Sequence, residues 1–175
     1  MGPRIASSFC ENVPRITALS SRKMPTLFST TFGALSYGAG EQFMFPNGLP
    51  GFPQETAFLP VEVPEQLPLL YLQSVQTPNL CFVTLPVNCL LEGYKLSAEP
   101  DDLNVIGLGT DTRLGPGILC LAILCFAQDG TADANLRAPL VINLENRKGI
   151  QAIQSRGDYA IRFPVGSSRE VTTCS

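Results

Sequence analysis

Fifteen glycines and fifteen prolines punctuate the 175-residue chain, and the apolar stretches between them are short. Helix interiors tolerate neither residue well, so this spacing favours strands joined by turns. The longest apolar run, Ile118-Leu-Cys-Leu-Ala-Ile-Leu-Cys-Phe-Ala127, lies between Gly115-Pro-Gly117 and Gln128-Asp-Gly130. At ten residues it is too short to cross a bilayer, which needs about 20. Lacking a polar face and bounded by turns, it reads as a central, fully buried strand.

Other strands follow from similar patterns. Phe43 and Phe45 alternate with Gln42 and Met44, and residues 80–85 form a second buried run. Leu140-Val-Ile-Asn-Leu144, a polar turn and then residues 150–154 read as a hairpin. Tyr159, Ile161, Phe163 and Val165 alternate with more polar or smaller neighbours, as on a half-buried strand. Short helices are expected over 67–75 and over 101–106, the latter with Pro100 in a first-turn position. The expected fold class is all-β, a small antiparallel barrel-like domain with one or two short helical segments. Residues 26–166 make up this domain. Residues 167–175 read as a flexible tail, and residues 1–25 as a disordered extension without hydrophobic period. The Arg- and Ser-bearing N-terminal stretch also fits a transit peptide, or a start assigned upstream of a true one at Met24.

Composition narrows the chemistry. Histidine is absent, which removes Ser-His-Asp triads, Cys-His pairs and imidazole metal ligands. The six cysteines, at 10, 81, 89, 120, 125 and 174, contain no Cys-x-x-Cys. Cys120 and Cys125 are an odd number apart on one strand, so they face opposite sides and do not bond to each other. The cysteines read as core fillers. With no secretory apolar segment and no Asn-x-Ser/Thr sequon, the cytoplasm is the expected compartment.

Charge is unevenly spread. Residues 1–25 carry Arg4, Arg15, Arg22 and Lys23 against Glu11. Residues 41–104 carry eight acids (Glu41, Glu55, Glu62, Glu65, Glu92, Glu99, Asp101 and Asp102) against Lys95. An acidic half argues against direct nucleic-acid binding and favours a cationic partner, or it keeps the domain soluble. Gly107-Leu-Gly109 lacks the third glycine of a dinucleotide loop. The segment from Asp129 to Asn135 lacks the spacing of a calcium loop and reads as a turn closed by its own side chains. Asp101-Asp102 reads as a solvated helix start rather than a carboxylate pair.

Three stretches remain. They are Phe45-Pro-Asn-Gly-Leu-Pro-Gly-Phe52; Tyr71-Leu-Gln-Ser74 with Pro78-Asn-Leu-Cys-Phe82; and Ala134-Asn-Leu-Arg-Ala-Pro-Leu-Val-Ile-Asn143 with Gly149-Ile-Gln151 and Tyr159 downstream. In this order they resemble the flagellar assembly factor FliW family, over roughly residues 26–165. Thr31-Phe-Gly33 resembles the family's opening strand. Tyr71 stands where the family often has tryptophan, Asp133 where threonine is usual, and Cys89 in a segment that is often aromatic.

The resemblance implies a non-enzymatic protein without a cofactor. Its expected partners are flagellin and the RNA-binding translational repressor CsrA, whose repression of flagellin synthesis it would antagonise; no membrane is expected. The expected contacts are Gly48, Leu49, Pro50, Gly51 and Phe52; Asn135, Leu136, Arg137, Ala138 and Pro139; and the acidic pair Asp101 and Asp102. Asn143 reads as satisfying a backbone group instead. Two alternatives are a flavin- or nucleotide-binding split-barrel enzyme, disfavoured by the missing histidine and sparse cations, and a purely structural barrel.

Overall fold

The computed structural model describes residues 4–5, 24–109, 112–154 and 158–166. The strands are β1 (Arg4–Ile5), β2 (Thr26–Ser29), β3 (Gly33–Ser36), β4 (Phe43–Met44), β5 (Ala57–Glu62), β6 (Leu70–Ser74) and β7 (Cys81–Pro86). Two short helices, α1 (Val87–Leu90) and α2 (Pro100–Val105), precede β8 (Ile118–Phe126), β9 (Ala132–Ala134), β10 (Leu140–Asn143), β11 (Lys148–Gln151) and β12 (Phe163–Val165). Seven strands close into a barrel in the order β4-β5-β6-β7-β8-β10-β11 and back to β4. Every junction is antiparallel except the last, where β11 runs parallel to β4 through Lys148 and Met44. The end of β8 also pairs with β9, which pairs in turn with β12. Strands β2 and β3 form a separate hairpin.

The apolar run in β8 has no polar face because both of its faces are covered. Leu119 and Leu121 point into the barrel with Phe43, Phe45, Phe58, Leu70, Leu72, Leu140 and Ile142. Cys120, Ala122 and Leu124 point outward, under Tyr94, Ile106, Ala134 and Leu136. A third cluster joins Leu27 and Leu35 of the hairpin to Leu59 and Val61 of β5. Burying each large apolar side chain contributes about 1.5–3 kcal/mol, so the barrel is stabilised from inside and outside together.

Pro60 stands inside fully buried β5. The Ala57 carbonyl accepts from the Val75 amide on the β6 side, whereas the Thr56 carbonyl accepts from Phe45 on the β4 side. Backbone groups alternate along a strand, so the Pro60 nitrogen faces the β4 side. There the missing N–H removes no bond to β6.

The structure corrects several expectations. Residues 67–75 do not form a helix: a 3-10 turn, Pro64–Gln66, leads into β6. Leu70 and Leu72 enter the barrel while Tyr71 packs edge-on against Phe32 at 5.2 Å, a two-residue period with both faces occupied. The final strand begins only at Phe163. Upstream, Tyr159 stacks on Tyr94 at 4.3 Å and the Ala160 carbonyl accepts from Leu136, which holds the chain off any ladder. Of the described cysteines, Cys120 is buried and Cys81 half-buried, but Cys89 and Cys125 are exposed and so are not core fillers. All four are unbridged, and Cys10 and Cys174 lie outside the described residues. Most of the N-terminal extension and the tail likewise lie outside them; Arg4 and Ile5, read as lacking regular structure, pair with β5.

Candidate partner-binding surface

The loop between β4 and β5 is built by its own backbone. Gly48 N–H donates to the Phe45 carbonyl at 2.9 Å, and Leu49 and Phe52 exchange two bonds at 3.2 and 2.7 Å. Gly48 has φ +64°, and a Cβ there would meet the Pro53 carbonyl oxygen at 2.5 Å, so only glycine fits. Leu49 plugs the barrel and Phe45 is fully buried. Pro50, Gly51 and Phe52 form the exposed tip, with Phe52 edge-on to Phe82 at 5.3 Å.

The Tyr-Leu-Gln-Ser stretch supports that loop. Gln73, wholly buried, donates through Nε2 to the Leu80 and Pro78 carbonyls at 3.0 and 3.2 Å and accepts from Ser29 Oγ at 2.7 Å. Ser74 Oγ and Thr77 Oγ1 both donate to the Glu55 carboxylate, tying the turn after β6 to the loop before β5. Gln76 accepts from the Thr56 and Ala57 amides and donates to the Gln54 carbonyl. These polar side chains shape the surface rather than present themselves on it.

The third motif closes the same end of the barrel. Asn135 Oδ1 accepts from the Arg137 and Ala138 amides at 3.1 and 3.0 Å, an Asx-type turn. The segment is laced on both sides: Leu136 N–H donates to Ala160, Ala152 N–H to Pro139, and Gln154 N–H to Arg137. Tyr94 Oη donates to the Leu136 carbonyl at 2.6 Å. Asn143 Nδ2 donates to the Ile106 carbonyl at 3.0 Å and Oδ1 accepts from Glu145, the backbone-satisfying role expected of it. Gly149 is constrained by packing rather than by its backbone angle, since a Cβ there would lie 2.8 Å from the Phe45 ring.

The structure therefore divides the twelve candidates. Because β11 runs parallel to β4, the 48–52 loop and the 135–139 segment emerge at one end of the barrel. Pro50, Gly51 and Phe52 are exposed there, while Asn135, Arg137 and Ala138 are half-buried. Gly48, Leu49, Leu136 and Pro139 are buried, so their side chains cannot carry a surface contact. Leu136 instead belongs to the outer core, drawn in by Tyr94. Asp101 and Asp102 are exposed on α2, apart from this cluster. The last turn of α2 is fastened at the opposite barrel end, where Asn143 and Asn146 donate to the Ile106 carbonyl. Two exposed residues absent from the candidate set flank the third motif: Ile153, 59% exposed, and Ile161, 60% exposed. Their strand-like sequence context gave no sign of exposure.

Charge and thiol chemistry are settled by burial. Of the eight acids over 41–104, Glu55 and Glu62 are buried, so the outward field is smaller than the formal count. Burial pushes the Cys120 thiol up to about 12 and Cys81 to about 11, so neither is a thiolate nucleophile at neutral pH. Asp129 is fully exposed, and its hydrogen bonds from Thr131 hold its carboxyl below the usual range, as in a self-closed turn. Among the described residues no helix is long and apolar enough to cross a membrane.

A family model described as FliW protein matches residues 26–165, the span that holds all three motifs and the whole barrel. The chain belongs to the FliW family. It is 35% identical over 140 residues to the flagellar assembly factor FliW of Syntrophomonas wolfei, covering 79% of this chain and 87% of that relative. It is 29% identical over 143 residues to that of Syntrophotalea carbinolica, covering 81% and 99%. A crystal structure of the flagellar assembly factor FliW superposes with a TM-score of 0.69 at 25% identity, over 80% of this chain and 96% of the other. FliW is a family of flagellar assembly factors rather than of enzymes.

Proposed function

We propose that this chain is a cytoplasmic, non-enzymatic flagellar assembly factor that binds flagellin and a CsrA-like translational regulator. By binding the regulator it antagonises repression of flagellin mRNA translation; free flagellin draws it away again. Such a switch requires two coupled or competing interfaces on one scaffold. The observation that carries the reading is the convergence of family motifs on one barrel end, beside exposed Phe52, Ile153 and Ile161. Apolar groups on a rigid frame suit a protein partner, because little ordering cost is incurred on docking. The exposed acids Asp101 and Asp102 supply charge of the right sign for a regulator that presents cations to RNA.

Purified flagellin and CsrA-like protein from the same organism test this reading directly. Phe52→Ser with Ile153→Ser should weaken at least one partner by about tenfold or more, as central apolar anchors do, with the melting temperature nearly unchanged. Unaltered affinity for both partners would move the interface away from this end.

A further inference from the structure

Strand β4 is only two residues long and pairs with β5 at Ala57 and Phe58, leaving the remainder of that β5 edge beyond its reach. Of the β5 residues past Phe58, Pro60 and Glu62 direct their backbone groups toward this edge, by the alternation that turns Ala57 toward β6. Pro60 offers only a carbonyl there, so Glu62 supplies the edge's N–H donor. Arg4 and Ile5 fill this place, with Arg4 opposite Glu62 and Ile5 opposite Val61. The family model begins at residue 26, and the S. carbinolica relative is 99% accounted for by 143 matched residues. The strand that fills the edge is thus an addition to the family domain, carried on a segment with four bases and one acid.

We infer that the β5 edge at Pro60–Glu62 is a strand-acceptor site, that this chain occupies it with its own residues 4–5, and that an extended basic segment of a protein partner binds there in their place. An unpaired strand edge is a ready template for an added strand. The register sets a cation position against Glu62, with Glu65 in the turn that follows, and opposite charges across a strand pair favour the match. Because residues 4–5 are tethered, they hold the site at a high effective concentration and act as a built-in competitor.

Amide hydrogen exchange of the full chain tests it. Arg4→Pro with Ile5→Pro removes the Arg4 donor that faces β5 and constrains the backbone of both residues; it should speed exchange at Glu62 by about tenfold or more, while Leu59 and Val61, which face β6, keep their protection. Arg4→Glu leaves the backbone intact but opposes like charges, and should loosen the same amide to a lesser degree. A peptide of residues 2–9, Gly-Pro-Arg-Ile-Ala-Ser-Ser-Phe, should shift the Glu62 amide resonance of the double-proline variant at lower concentration than in the unaltered chain. Unchanged Glu62 exchange in both variants would overturn the pairing. Equal peptide binding by both chains, or binding by neither, would overturn the acceptor site.

Discussion

Gly149 of β11 lies against the Phe45 ring so closely that a Cβ on it would sit 2.8 Å from two ring carbons and 3.0 Å from Ile142. This contact fastens the one parallel junction of the barrel to the start of the 48–52 loop. Gly149→Ala should therefore destabilise the fold by about 1–3 kcal/mol through overpacking, read as a lower urea midpoint. An unchanged midpoint would show that the seam is loosely packed.

Tyr94 secures the third motif from behind. Tyr94→Phe keeps the ring stacked on Tyr159 but leaves the buried Leu136 carbonyl without its donor. The expected cost is about 1–3 kcal/mol, with faster exchange at Leu136. Stability equal to that of the unaltered chain would mean the carbonyl finds another partner.

Thiol reactivity should separate the cysteines. Under native conditions Cys89 and Cys125 should react rapidly with a disulfide reagent, and Cys120 only on unfolding. Reductant should leave the melting curve unmoved, since all four described thiols are free. Burial raises the Cys120 pKa from an ordinary 9.0 to about 12. The contribution of its protonated form is therefore fully present below 9.0 and is lost as pH rises toward about 12. Cys120→Ala should flatten that part of the alkaline decline; an unchanged profile would assign the decline to other groups.

The acidic pair gives a kinetic test. Asp101→Lys with Asp102→Lys should slow association with a cationic regulator and reduce its salt dependence, with a smaller effect on dissociation. Both residues are exposed in the first turn of α2, so the reversal should cost the helix start about 1 kcal/mol per residue and leave the barrel folded. Association that ignores both salt and charge reversal would mean the acids serve solubility.

Much of this molecule is legible from local pattern. The β8 run and the β10–β11 hairpin combine strand-like composition with clear turns; β8 stands where expected, while β11 starts two residues earlier than expected, at Lys148, because the turn is shorter. Strand β6 is less legible because Leu70 and Leu72 are buried inside and Tyr71 is covered outside, which hides the two-residue period. The burial of Leu136 and Pro139 is equally hidden: Leu136 is drawn in by Tyr94, 42 positions away. Strand β1 has no pattern of its own, since two residues acquire strand form only through the β5 edge they meet. Of the ten motif residues named as contacts, Gly48, Leu49, Leu136 and Pro139 hold the surface in shape from beneath it.

The most direct measurement is equilibrium binding of the purified chain to flagellin and to a CsrA-like protein from the same organism, by calorimetry at tens of micromolar. Saturable binding to both, with one partner altering the affinity for the other, is the result predicted here. Even a weak specific complex of about −6 to −7 kcal/mol would register under these conditions. Absence of binding to either protein would contradict the account of this chain as a flagellin- and regulator-binding assembly factor.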